Sequence, residues 1–229
     1  MQLASAPPEQ RPAVALAAVE AGDASGDAGF AAIRAAAAGC RACPLWEHAT
    51  QTVFGLGPVP ARLMLVGEQP GDKEDRAGSP FVGPAGAMLD RALDDAGIDR
   101  ETAFVTNVVK HFKWRPVPGS KRRLHEEPNK VEVGACLPWV ETELALVKPE
   151  ALVLLGATAA EGVTGRHVAV MKERGTPLEI DVAPLVVATV HPSSILRAGP
   201  GREAAYAAFV EDLAAVGRWL GGRGYHPRR

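Results

Sequence analysis

Residues able to act on a polar planar ring recur just after apolar, β-branched runs. Glu68 and Gln69 stand in Gly67-Glu68-Gln69-Pro70-Gly71-Asp72, after the run 62–67. Asp75 and Pro80-Phe81-Val82-Gly83-Pro84-Ala85-Gly86 follow them. Asn107 lies near the end of the run 103–109, which continues into Lys110-His111-Phe112-Lys113. His191 opens His191-Pro192-Ser193-Ser194 after the run 185–190. Singly, each has an ordinary explanation: an acid in a Gly/Pro turn is a solvated loop residue, and a His before Pro is a cap or a packed ring. Together they supply a carboxylate, an amide, an aromatic face and an imidazole. That inventory can hold a planar ring and break a bond attached to it.

The elements that must bring them together are legible in the pattern. With the run 151–155 there are four apolar strands, and helical patterns over 85–96, 131–147 and 158–163 lie between them. After the last strand, Ala205, Phe209, Leu213, Val216 and Leu220 recur at helical spacing within 202–220. Continuous apolar strands alternating with helices predict an α/β fold, a three-layer sandwich whose central, mainly parallel four-stranded sheet is flanked by helices. Ligands of such sheets bind beyond the carboxyl ends of the strands, where Glu68, Asn107 and His191 all fall. An alanine-rich stretch over 30–38, closed by Gly39, predicts one more short helix.

Composition bounds the rest. The chain has 229 residues, 47% hydrophobic and 23% charged, as a globular domain does. Aromatics reach only 5%, so Ala, Val and Leu must build the core, and 24 Gly with 19 Pro predict many loops. Residues 1–27 read as a disordered leader with at most a helical turn near 14–21, residues 28–220 as the domain, and 221–229 as a flexible tail. No apolar run approaches the roughly 18 residues that cross a bilayer. No basic start with a compact apolar stretch suggests a secretory signal. The expectation is a cytoplasmic monomer without a membrane partner. The net charge of −2 argues against a globally basic nucleic-acid binder but not against a local patch. Between 110 and 130, Lys110, Lys113, Arg115, Lys121, Arg122, Arg123 and Lys130 face only Glu126 and Glu127, a net +5. Such a stretch fits phosphate contacts, with Arg197 adding one more, and it equally fits a solvated face.

Cys40 and Cys43 form a Cys-x-x-Cys pair, and Cys136 stands far downstream. Structural disulfides are rare in a cytoplasmic setting. The three are either small buried thiols or part of a metal or iron–sulfur site that needs one more ligand.

Taken in order, Cys40-Arg-Ala-Cys43, Gly67-Glu-Gln-Pro-Gly71, Pro80-Phe-Val-Gly-Pro-Ala-Gly86, Thr106-Asn107-Val-Val-Lys110 and His191-Pro-Ser-Ser194 resemble the uracil-DNA glycosylase superfamily in its iron–sulfur, family 4-like branch. Gln69, together with the insert Lys121-Arg-Arg-Leu-His125, is similar to the UdgX subgroup of that branch. The resemblance implies excision of uracil from DNA, met in single strands or flipped from a duplex, with free uracil as product. It implies that Phe81 stacks on the base, Asn107 reads its edge and His191 donates to its O2. Gln69, Asp72 and Asp75 fall in the same substrate-binding motif. His125 would capture the sugar cation in place of water, with Glu68 as its partner, leaving protein joined to DNA. Lys121, Arg122, Arg123, Ser193 and Arg197 would contact the strand. A 4Fe-4S cluster would be held by Cys40, Cys43 and Cys136, with His111 at the position of the family's fourth cysteine. Zinc remains open for the same Cys₃His set. So do ordinary turnover by water and a non-catalytic iron–sulfur DNA-binding role.

Overall fold

The computed structural model describes residues 7–20, 22 and 25–222. In chain order the elements are α1 (Arg11–Glu20), α2 (Gly26–Ala37), β1 (Leu63–Gly67), α3 (Asp72–Ala77), α4 (Pro84–Asp95) and β2 (Ala103–Asn107). They continue with β3 (Trp114–Pro116), β4 (Arg123–His125), α5 (Lys130–Val147), β5 (Ala151–Leu155), α6 (Ala157–Thr164) and α7 (Val170–Glu173). The last are β6 (Leu185–Thr189), α8 (Pro192–Leu196) and α9 (Arg202–Leu220).

The central sheet has the order β2-β1-β5-β6, and every pair is parallel. All four strands are buried along their whole length, which is why they read as unbroken apolar runs. Alternate side chains feed two cores. Met64, Val66, Phe104, Leu152, Leu154, Val186 and Ala188 pack on the face that includes Ile33, Trp139 and Ala160. Leu63, Leu65, Val105, Val153 and Val187 pack on the other, with Leu89, Phe209 and Leu213. The chain runs from β1 to β2 on one side and later returns to β5 on the other. The switch point of the sheet therefore lies between β1 and β5, the crevice where such folds take their ligands.

Two expectations change. The stretch whose composition predicts a disordered leader contains α1, a ten-residue helix that packs on α5, with Pro12 and Ala15 buried. Its small alanines let two backbones approach, and its Ala, Val and Leu side chains supply apolar surface that the composition of residues 1–27 as a whole conceals. Residues 1–6, 21 and 23–24 of the expected leader and residues 223–229 of the expected tail lie outside the described residues. The hairpin β3–β4 was not expected at all. It is three residues a side and half-exposed, too short and polar for a strand pattern to show.

Candidate active site

Beyond the carboxyl ends of β1 and β2, Phe81, Asn107 and His191 border the candidate pocket. Asn107 is the last residue of β2, paired in register with Gly67 at the end of β1. A methyl group on Gly67 would collide with Asn107 Oδ1 and the Phe81 ring, so this close approach needs glycine. Asn107 is 2% exposed. Among the described residues no protein group hydrogen-bonds its side-chain amide, and none of the fully buried side-chain polar atoms lacks a partner. The amide therefore meets solvent through the pocket. Phe81 sits in the left-handed region (φ 57°), a strained conformation for a large side chain. It is held there by the tight approach of Gly86 in the first turn of α4, where a methyl group would overlap the Phe81 carbonyl.

His191 flanks the same space, its ring 6.1 Å from that of Phe81 and inclined by 29°. It caps α8: the Ser193 N–H donates to its Nδ1 at 3.2 Å, and the Ser193 hydroxyl lies 2.8 Å away. With Nδ1 accepting, the single proton of the neutral ring is on Nε2. Burial pushes the imidazole down to about 4, against the upward pull of Glu68, so the ring is neutral at pH 7.

Glu68 and Gln69 follow β1 and meet the β3–β4 hairpin. Gln69 is buried and grips both hairpin strands. Its Oε1 accepts from the Lys113 N–H at 3.0 Å, while Nε2 donates to the carbonyls of Lys113 (3.2 Å) and Glu126 (3.0 Å). His125 Nε2 is 3.1 Å from that amide nitrogen and 2.9 Å from Glu68 Oε1. Both Gln69 amide protons are committed to carbonyls, so the imidazole N–H is directed at Glu68. The His125 side chain is 52% exposed and Glu68 21%, which leaves the imidazole open to a ligand. The second carboxylate oxygen accepts a 2.6 Å hydrogen bond from the Thr158 hydroxyl, in the first turn of α6 just past β5. Burial would raise the Glu68 carboxyl, yet the hydrogen bonds from His125 and Thr158 outweigh it and hold it below the ordinary value. Thr158 carries no motif, and its only sequence signal is its place after the third central strand.

Like Gln69, further residues expected to face a ligand are engaged within the protein instead. Arg123, expected on phosphate, is 10% exposed and forms ion pairs with Asp72 and Asp75. Asp75, expected at the substrate, is fully buried and also accepts from the Thr50 N–H. Asp72 is divided between Arg76 and Arg123. A buried guanidinium keeps its carboxylates, since releasing them would leave charges unpaired. This cluster therefore staples β4 to α3. Lys110 also leaves the expected basic patch: it is fully buried against Glu143, and Lys113 pairs with Glu132. The exposed cations are Arg115, Lys121, Arg122, Lys130 and Arg197. Ser193 is occupied with His191.

The three cysteines come together on the opposite flank of β2. Cys40 and Cys136 are buried and Cys43 is half-buried, all three within one apolar cluster. Two sulfurs accept hydrogen bonds, Cys136 from the Lys110 N–H (3.2 Å) and Cys40 from the Trp139 indole (3.3 Å). Burial pushes the Cys136 thiol up to about 12. His111 Nε2 is 2.9 Å from Thr52 Oγ1, whose own proton goes to the Ala37 carbonyl at 3.0 Å. The Thr52 oxygen must therefore accept, which places the His111 proton on Nε2 and leaves Nδ1 with a lone pair. Burial holds this ring at about 4, hence neutral. Among the described residues no three His, Cys, Asp or Glu side chains are arranged to hold a metal ion.

The family model of the uracil DNA glycosylase superfamily matches residues 54–214. A Type-4 uracil-DNA glycosylase of Thermotoga maritima is 39% identical over 159 residues, covering 69% of this chain and 78% of the relative. One from Pyrobaculum aerophilum is 36% identical over 182 residues, covering 76% and 86% respectively. One from Archaeoglobus fulgidus is 31% identical over 189 residues, covering 80% and 88%. With a matched span that runs from before β1 into α9 and takes in the whole sheet and its pocket, the chain belongs to the uracil-DNA glycosylase superfamily.

Proposed function

We propose that this protein is a uracil-DNA glycosylase that becomes covalently joined, through His125, to the sugar it has stripped of its base. The observation that carries the reading is the 2.9 Å contact between His125 Nε2 and Glu68 Oε1, at the base of the hairpin, with the imidazole open to solvent beside the pocket. In an enzyme that activates water, that place belongs to the water.

Uracil would enter against Phe81, with the Asn107 amide pairing with its N3–H and O4. Cytosine offers the reverse pattern and would leave buried groups unpaired, a ground for rejection by orders of magnitude. The bond between uracil N1 and sugar C1′ breaks with its electron pair on the base, and the His191 Nε2–H donates to O2 where that charge grows. The sugar is left as an oxocarbenium ion facing Glu68. The His125 imidazole gives its N–H proton to Glu68 as the N–H pair becomes the N–C1′ bond. Charge balances: carboxylate, neutral imidazole and cation become carboxylic acid and a neutral N-glycosyl imidazole. Imidazolide is a poor leaving group, so the adduct persists. Exposed Lys121, Arg122 and Arg197 would meet phosphates, and a single strand would reach the pocket without the cost of unstacking.

A 4Fe-4S cluster fits the second site by chemistry. Cys40, Cys43, Cys136 and the free Nδ1 of His111 would hold it, and N–H donors to sulfur are a usual surrounding for cluster ligands. Cluster ligands bind different irons and stand farther apart than the ligands of one ion. Its service would be to tie α2, the segment after β2 and α5 together.

The test is denaturing electrophoresis of the protein with a labelled uracil-containing oligonucleotide. A heat- and detergent-stable species with one DNA per protein should form as uracil is released. His125→Ser should release uracil, leave an abasic product, turn over and form no adduct. Full cross-linking by that variant would remove His125 as nucleophile, and wild-type turnover without adduct would establish hydrolysis by water.

A further inference from the structure

Lys110 and Glu143 are both fully buried and in contact at 2.7 Å, against the mainly apolar side chains of the core. Taking two charges out of water is costly, and an apolar pair of similar volume is often the more stable choice. The retained pair therefore calls for another reason, and its hydrogen bonds supply one. The Lys110 ammonium donates to Glu143 Oε2, Thr106 Oγ1 and the carbonyl oxygen of Asn107, each at 2.7 Å. Its position also lies 5.3 Å from the centroid of the Phe54 ring. Glu143 Oε1 accepts from Thr106 Oγ1 at 3.1 Å and from the Gly55 N–H at 2.9 Å. Every donor and acceptor in the network is thus engaged, and one end of it is the backbone of the residue that presents its amide to the pocket.

We infer that Lys110 is a positioning residue for base recognition: through the Asn107 carbonyl it fixes the end of β2, and so the place and tilt of the Asn107 amide. β2 is the edge strand of the sheet, bridged on its outer side by Leu56 at Val105, and Asn107, two residues farther on, is its last residue. The peptide that follows Asn107 is tied to β1 on one side, where the Val108 N–H donates to the Gly67 carbonyl at 2.9 Å, and its carbonyl, on the outer side, is held by the ammonium. A small rotation there carries the amide away from the edge of the base. The fixed ammonium, itself immobilised by Glu143 and Thr106, completes with the β1 bond a two-sided hold against that rotation. The inference rests on Asn107 reading the base, as proposed above.

A double-mutant cycle on uracil release, measured at enzyme excess, tests it. Lys110→Met with Glu143→Gln removes both charges while keeping an oxygen for Gly55 and Thr106. In the background with Asn107 intact this pair should slow release tenfold or more. In the Asn107→Ala background it should change the rate less than twofold, because no amide remains to misplace. An equal loss in both backgrounds means that the pair serves only the fold, and no loss in either overturns the inference as well. If Asn107→Ala alone leaves the rate unchanged, the reading of Asn107 fails instead. Should the charge-free pair not fold, Thr106→Val takes its place, since it removes one of the groups that aim the ammonium. A severalfold loss confined to the Asn107 background is then expected, and a loss independent of Asn107 again overturns the positioning role.

Discussion

The Ser193 N–H directed at His191 Nδ1 determines which nitrogen of that ring can donate, and burial keeps the ring neutral, so His191 faces the pocket with one proton on Nε2. Asn107 faces the same space with an amide that has both a donor and an acceptor. Asn107→Asp replaces the donor by a second acceptor and opposes the O4 of uracil with a lone pair. Loss of one buried hydrogen bond of about 1–3 kcal/mol predicts a fall in uracil release of roughly five- to a hundredfold, read by single-turnover kinetics. A second prediction concerns Thr158, whose hydroxyl stabilises the ionised form of Glu68. Thr158→Val should slow adduct formation by about three- to tenfold, for a hydrogen bond worth roughly 0.5–1.5 kcal/mol. The sign of its pH effect follows. Without that donor the Glu68 carboxyl rises toward its ordinary value, so the acid limb of the pH–rate profile should move to higher pH; an unmoved limb removes Thr158 from the site. The residue types at the strand ends were legible in the sequence because few reasons other than chemistry put an acid, an amide and an imidazole there together. Thr158 was not, since a hydroxyl at the start of a helix is common. Nor was the use of Lys110, Arg123, Asp72 and Asp75, because a charge in a sequence says nothing about whether it is buried against its opposite.

Two short elements decide where the reactive groups point. One is the β3–β4 hairpin, whose free edges are held by side chains: Gln69 on its inner strand ends and Arg123 on α3 through Asp72 and Asp75. Arg123 also lies over the rings of Phe112 and Trp114, at 5.3 and 5.4 Å. The other is the turn 80–83 ahead of α4, which forces Phe81 to a positive φ. Gly86→Ala tests that turn with two opposed magnitudes. Alanine favours a helix over glycine by about 1 kcal/mol. Its methyl group, however, would overlap the carbonyl of Phe81, which is backbone and cannot swing aside as a side chain would. Overpacking of this kind costs roughly 1–3 kcal/mol, so the clash should win. The variant should melt at a lower temperature and release uracil at least tenfold more slowly, whereas a higher melting temperature with full activity would show that the turn yields easily. The four central strands and the long helices were legible at this scale because burial on both faces writes itself as an unbroken apolar run. The hairpin was not. Three residues a side with polar faces have no period to detect, and its position depends on contacts with residues some fifty positions away in sequence.

Across the whole molecule, the sheet separates two apolar cores, and the pocket and the cysteine site lie on either side of the end of β2. No helix among the described residues is long and apolar enough to cross a membrane. The cysteine site joins the end of α2, the segment following β2 and the middle of α5, elements that meet only in the folded chain. A cluster there would bind the native state and not the unfolded one, so its free energy of binding would add to folding stability. The protein purified without oxygen should be yellow-brown, with iron and sulfide at cluster stoichiometry. A colourless protein carrying only zinc would falsify the cluster assignment while leaving the same four ligands in place. Stripping the iron should lower the denaturant midpoint, because buried Cys40, Cys136 and His111 would lose the group that binds them together. His111→Ala separates the fourth ligand from the rest. Its ring is neutral, its Nε2 proton is committed to Thr52 and its Nδ1 is free, so the substitution would remove the proposed fourth ligand without disturbing the pocket residues. The visible absorbance should bleach faster in air or chelator than in the wild type, while the freshly reconstituted variant still releases uracil. Absorbance that decays at the wild-type rate would strike His111 from the ligand set and leave its buried imidazole as a partner of Thr52 alone.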